Sequence, residues 1–176
     1  KQIVRRLNAA GCAAVGVSGA DAAMLLGSPV RNSAGGETRT GTLEHTDPRL
    51  LRHLFGAGYL PVVASTFSTA EGTPLNLNAD DAALAIAEAL EATTLLFFSD
   101  TPGVMKGDQP LPFLEARSIE GEIASGTIAG GMIPKVRSSV RALERGVRAV
   151  VIGRYQEQGD LERLLNGERG TRIAYG

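Results

Sequence analysis

The chain has 176 residues, a formal charge of −1 and 43% hydrophobic residues, the size and make-up of a globular domain with a sizeable core. A near-neutral charge gives no long-range field for nucleic acid or acidic lipid. Cys12 is the only cysteine, which rules out an internal disulfide or a C-x-x-C site, and His45 and His53 lie outside zinc-ligand spacing. Read from the N-terminus, Ile3, Val4 and Leu7 fall at helical spacing and Gly11 supplies a stop. Ala13 to Val17 reads as a short buried strand. Val30 to Leu43 is polar and glycine-rich and predicts a surface hairpin turning at Gly35-Gly36. Asp47-Pro48 opens a helix with aspartate at the N-cap and proline in the first position. Tyr59 to Ala64 predicts a strand buried on both faces. Asn78 to Asp81 caps a helix that runs to about Leu90.

Thr93 to Phe98 is another apolar strand, followed by the turn cluster Ser99-Asp100-Thr101-Pro102-Gly103. Ser118 to Ser125 predicts a short helix, and Gly130-Gly131 precedes a longer one from about Ile133 to Arg145. Arg148 to Ile152 is a strand, Asp160 to Leu165 a last helix, and Thr171-Arg172-Ile173 an edge strand. The alternation argues for an α/β fold with a largely parallel sheet, in which ligands bind at the strand-end loops. No apolar run reaches membrane-spanning length, and a reducing, cytoplasmic setting is the simple inference. Lys1 is not a methionine, and Lys1 to Leu7 already reads as the middle of a helix, so residues are expected upstream.

The commonest nucleotide and hydrolase signatures are absent. There is no G-x-x-x-x-G-K-[ST] loop, no G-x-G-x-x-G after a strand, no H-R-D or D-F-G, and no G-x-S-x-G elbow. Four constellations remain. In Gly130-Gly131-Met132-Ile133-Pro134-Lys135, two glycines before a helix bring backbone N–H groups close to an anion. Lys135 in that first turn is disfavoured by the helix dipole by about 0.3–1 kcal/mol unless an anion sits there. Taken alone, a glycine-rich loop with a solvated lysine explains the stretch equally well. In Leu75-Asn76-Leu77-Asn78-Ala79-Asp80-Asp81, alternation places Asn76 and Asn78 on one side. Asn78 or Asp80 serves as a cap, but Asn76 has no capping job. Ser99 to Val104 offers a carboxylate and hydroxyls at a strand end, or an ordinary turn. Val17-Ser18-Gly19-Ala20-Asp21 is a turn or a backbone-lined wall of a site.

In this order, together with Gly56-Ala57-Gly58-Tyr59-Leu60-Pro61-Val62-Val63 and the closing Gly170-Thr171-Arg172-Ile173, these stretches resemble the amino-acid kinase family, its acetylglutamate kinase branch most closely. The resemblance implies a three-layer α/β/α sandwich with a mainly parallel sheet, the carbamate kinase-like fold. It implies transfer of the ATP γ-phosphoryl group to the side-chain carboxylate of N-acetyl-L-glutamate, a step of arginine biosynthesis. Lys135 would neutralise charge on the moving group, and Asp80 would hold the catalytic lysines in place. Asn76 would hydrogen-bond the acetylglutamate. Asp100, Thr101, Pro102, Gly103, Val104 and Met105, with Thr127, Ile128 and Ala129, would line the nucleotide site, and Gly130 and Gly131 would present backbone to phosphate. Magnesium would accompany ATP, held by phosphates. A homo-oligomer, dimer or higher, is implied, with neither nucleic acid nor membrane as partner.

The family's Lys-x-Gly-Gly strand, second glycine-rich loop and substrate-binding arginine are not in this sequence. The expectation is therefore a single family domain lacking its N-terminal third, with residues 1–65 belonging to the substrate half and 66–176 forming the nucleotide half. Two other readings stand beside it: a sister kinase for another acidic substrate, such as carrier-bound aminoadipate, and a non-catalytic nucleotide-binding module.

Overall fold

Across residues 1–176, which the computed structural model describes in full, the alternating pattern becomes six α-helices and twelve strands. The chain divides into two units, Lys1–Leu90 and Glu91–Gly176.

The first unit runs α1 (Gln2–Ala9), β1 (Ala14–Ser18), β2 (Leu25–Arg31), β3 (Glu37–Thr46), α2 (Arg49–Gly56), β4 (Leu60–Ala64), β5 (Thr66–Ser68), β6 (Pro74–Asn76) and α3 (Ala79–Ala89). Gly11 ends the first helical segment at φ +86, a conformation that side chains resist. The Asn8 side chain then clamps the start of β1, accepting from the Ala14 N–H at 2.7 Å. β1 and β4 pair in parallel from Ala14↔Leu60 to Ser18↔Ala64. The expectation that β4 is buried on both faces does not hold: none of its residues is fully buried, and Leu60 is 43% exposed. β1 is its one strand neighbour, so one edge of β4 remains uncovered.

The expected hairpin is present as β2 and β3, antiparallel, turning where Gly35 has φ +81. It is longer than predicted, and its base is interior rather than superficial. β2, β3, β6 and β5 close into a small barrel, and Met24, Leu25, Leu51, Phe67 and Leu75 form the buried cluster of this unit. Burying each of these side chains contributes about 1.5–3 kcal/mol. The glycines that make the segment look like a surface turn have a packing reason. A Cβ at Gly41 would lie 2.6 Å from the Phe67 ring. Helix α2 begins one residue later than expected, with Pro48 at the boundary, and the Asp47 carboxylate still accepts from the Arg49 N–H at 3.0 Å. The cap of α3 is as expected, with Asn78 Oδ1 accepting from the N–H groups of Asp80 and Asp81.

The second unit runs β7 (Thr94–Phe98), β8 (Met105–Lys106), β9 (Gln109–Pro110), β10 (Phe113–Glu115), α4 (Ile119–Ala124), α5 (Met132–Glu144), β11 (Ala149–Gly153), α6 (Asp160–Leu165) and β12 (Thr171–Ala174). Its sheet has the order β10-β12-β11-β7. β7 and β10 run parallel to their neighbours, and β11 and β12 pair antiparallel. Every residue of β11 is buried, the mark of a strand covered on both faces. β12, expected at an edge, is interior, and Thr171 and Ile173 have no exposed surface. Its polar letters mislead because the Thr171 hydroxyl is satisfied internally: it accepts from the Val104 N–H at 2.8 Å and donates to the Leu111 carbonyl at 2.6 Å.

Candidate functional site

At the C-terminal end of β7 the chain leaves the sheet with the Ser99 N–H donating to the Gly153 carbonyl of β11 at 2.8 Å. The turn that follows is held from within. The hydroxyls of Ser99 and Thr101 lie 3.1 Å apart, and Val104 is pinned to β12 through Thr171. Gly103 is a glycine for a steric reason, since a Cβ there would sit 2.6 Å from Thr171 Oγ1. Facing this turn is the segment between α4 and α5. The Ile128 N–H donates to the Glu122 carbonyl at 3.0 Å, and the Thr127 hydroxyl lies 3.0 Å from that of Ser125. Gly130 then bends the chain at φ +56 into α5.

Between these two segments lies a cavity of about 480 Å³. Of the residues expected around a nucleotide, Asp100, Thr101, Val104 and Met105 line one side, and Thr127, Ile128, Ala129 and Gly131 the other. Lys135 lines it as well, joined by Ser99 and Met132. Pro102 and Gly103 are not among the lining residues. Pro102 faces a second depression with Arg154 and Arg169, and Gly103 is buried against β12. Gly130 is not among the lining residues either, and its φ of +56 bends the chain into α5. Lys135 is half-buried in the first turn of α5, with its Nζ 5.3 Å from the centre of the Phe97 ring. That turn carries no acidic residue, so the helix terminus, the glycine backbone and the ammonium together form an electropositive wall. Asp100 is the one carboxylate on the lining, and apolar Val104, Met105, Ile128, Ala129 and Met132 beside Lys135 suit a ligand that is part apolar and part anionic.

Asn76 and Asp80 belong to the first unit. The expected alternation is present there. Leu75 is buried and Leu77 packs on the buried cluster of that unit, while Asn76 and Asn78 lie exposed on the other side. Asn78 is committed to its cap. Asn76 is not, and it lines a separate cavity of about 510 Å³ with Thr66, Thr73 and Arg39. Asp80 is half-buried in the first turn of α3. The Val17–Asp21 segment is a closed turn, in which Asp21 Oδ2 accepts from both the N–H and the hydroxyl of Ser18, at 2.6 and 2.9 Å. The backbone N–H, and then the hydroxyl, of Ser18 hold this carboxyl below its ordinary value.

Residues 1–154 match the family model described as "Amino acid kinase family". The chain belongs to the amino acid kinase family. Among curated members, the acetylglutamate kinase of Chloroflexus aggregans is 43% identical over 153 residues, which are 86% of this chain and 60% of that protein. That of Ruegeria pomeroyi is 44% identical over the same share of this chain and 52% of its own length. The chain therefore spans between about half and two thirds of the acetylglutamate kinases it matches. A solved structure from Streptococcus mutans superposes with a TM-score of 0.80 at 25% identity, over 98% of this chain and 65% of its own. A carbamate kinase from Giardia shares the amino-acid kinase fold at a TM-score of 0.69 and 15% identity, over 98% of this chain and 67% of its own.

Two residues that shape this cavity escaped the sequence. Thr171 fixes the cavity wall through Val104, and its one signal was its place in the closing Gly170-Thr171-Arg172-Ile173 stretch. Phe97 lies under Lys135 with no signal at all, because it reads as one more apolar letter of β7.

Proposed function

We propose that the protein carrying this chain is an acetylglutamate kinase. A side-chain carboxylate oxygen of N-acetyl-L-glutamate attacks the γ-phosphorus of ATP, the bond from that phosphorus to the β,γ-bridging oxygen breaks, and ADP leaves with the electron pair. The product is an acyl phosphate, and the step belongs to arginine biosynthesis. The observation that carries this reading is the convergence of Asp100, Thr101, Thr127 and Lys135 on one cavity, in a chain 43% identical to an acetylglutamate kinase over most of its length.

Two anions must meet in this reaction, so positioning and charge neutralisation do most of the work. Lys135 is assigned to the transferring phosphoryl group, whose compact and moving charge suits an ammonium. The N–H groups around Gly130 and Gly131 take phosphate oxygens at the start of α5. Asp100, Thr101, Val104 and Met105, with Thr127 to Ala129, hold the nucleoside. Asn76 is assigned to acetylglutamate and Asp80 to fixing the catalytic lysines. With Asp100 the one lining carboxylate, a magnesium ion accompanying ATP would draw most of its ligands from phosphate. We assign the substrate role to residues 1–90 and the nucleotide role to 91–176, moving the division expected at 65/66 so that Asn76 stays with its own unit. A homo-oligomer in a reducing cytoplasm completes the proposal. Cys12 is exposed and unpaired, and no helix is long and apolar enough to cross a membrane.

A substrate panel with coupled ADP detection tests the reading. Turnover is expected with N-acetylglutamate and not with free glutamate or aspartate, and the reverse pattern would reassign the chain to a sister kinase. In the same assay Lys135→Ala is expected to lower kcat by about 100-fold or more, the scale of losing one preorganised charge contact, while the KM for ATP changes by less than about fivefold. An unchanged kcat would remove Lys135 from the mechanism.

A further inference from the structure

We propose that Phe97 is a positioning residue for Lys135: the face of its ring holds the ammonium at the cavity wall, where it meets the transferring phosphoryl group. The inference rests on the role assigned to Lys135 above. Lys135 Nζ stands 5.3 Å from the centre of the Phe97 ring, within the distance at which a ring face attracts a cation. Phe97 is 5% exposed and is paired through its backbone with Ile152 of the fully buried β11. The ring is therefore a fixed platform beside a lysine stem that has four rotatable bonds.

The geometry also fits the chemistry. A lysine at a helix N-terminus is pushed outward by the dipole when no anion is present. A ring face counters part of that push by attracting the ammonium toward the cavity wall. Partial desolvation by the ring strengthens the attraction between the ammonium and a phosphoryl oxygen. A leucine at position 97 would satisfy the packing of β7, but it would remove the ring face from beside the ammonium.

The test replaces shape and electrostatics separately, in the protein that carries this chain. Phe97→Leu is expected to lower kcat by roughly 2- to 30-fold, the range of a cation–π contact converted to rate, with the KM for ATP within about twofold of wild type. Phe97→Tyr, which keeps the ring face, is expected to restore kcat. A series of ring-fluorinated phenylalanines at position 97, which keep the shape and withdraw the negative face, is expected to lower log kcat with each added fluorine. A readout independent of turnover is the NMR signal of the Lys135 ε-methylene, which should lose its ring-current shift in Phe97→Leu. A kcat that stays flat across the fluorinated series, or an ε-methylene signal that does not move, overturns the proposal. Lys135→Met separates the two ideas. If it abolishes turnover while the fluorinated series is flat, only the Phe97 inference falls; if it leaves turnover intact, the role of Lys135 falls and the inference with it.

Discussion

Thr171 carries more of the site than its single hydroxyl suggests. It is fully buried, and that hydroxyl joins three segments by accepting from Val104 and donating to Leu111 from within β12. Thr171→Val keeps the volume and removes both bonds, leaving a buried N–H and a buried carbonyl without that partner. The expected cost is about 1–3 kcal/mol in chemical denaturation. The accompanying release of Val104 from β12 should raise the KM for ATP several-fold, and a variant with normal stability and normal KM would show that the hydroxyl is dispensable. The same residue marks the limit of sequence reading. Lys135 was singled out by its helix start behind two glycines, Asp100 by its strand-end turn, and Thr127 only by the family resemblance, and all three line one cavity. Thr171 and Phe97 were not legible in this way, because each does its work through a neighbour that only the fold brings close: Val104, 67 residues away, and the ammonium of Lys135.

At the level of elements, α6 and the loop on its N-terminal side are tied together by one carboxylate. Asp160 has no exposed surface. Its Oδ2 accepts from the N–H groups of Gln156 and Glu157, at 2.9 and 3.2 Å, and its Oδ1 from Arg163 and Arg169, at 3.2 and 2.7 Å. The Gln156 N–H above all, then that of Glu157 and the charge of Arg169, hold the carboxyl below its ordinary value against the opposing effect of burial. A folded-state pKa lower than the unfolded one means that this stabilisation is fully present above about pH 4 and is lost as pH falls through the folded value. Asp160→Asn should therefore melt at a lower temperature at neutral pH, with the gap to wild type narrowing as the pH drops below about 4. A gap independent of pH would mean that the carboxylate acts through shape alone. Elements such as α6 were legible to the residue, since its acid-led apolar pattern has one reading. The hairpin and β12 were misplaced for a shared reason. Gly41 and Thr171 look like surface letters, yet they are buried because a ring in one case and a hydrogen-bonded hydroxyl in the other take up what the sequence alone would leave to solvent.

For the molecule as a whole, the relevant fact is that the two units have cores of their own. Barrel residues such as Phe67 and Leu75 serve the first, and the buried strands β11 and β12 serve the second. The α/β alternation predicted this architecture in outline. The place of the division was harder to read, because no linker composition marks residues 90 and 91 and α3 runs up to that point without a proline or glycine break. If each unit handles one substrate, ligands should protect them separately, and amide hydrogen exchange on the protein that carries this chain can resolve this. A non-hydrolysable ATP analogue at about 100 times its Kd adds roughly 2.7 kcal/mol to any opening that must release it, slowing exchange about 100-fold. That protection is expected at residues 99–105 and 127–135, with residues 74–81 unaffected. N-Acetylglutamate is expected to protect residues 74–81 and leave the first two stretches near their free rates. Protection by acetylglutamate confined to residues 99–135 would place both ligands in the second unit and end the assignment of Asn76 to the acceptor.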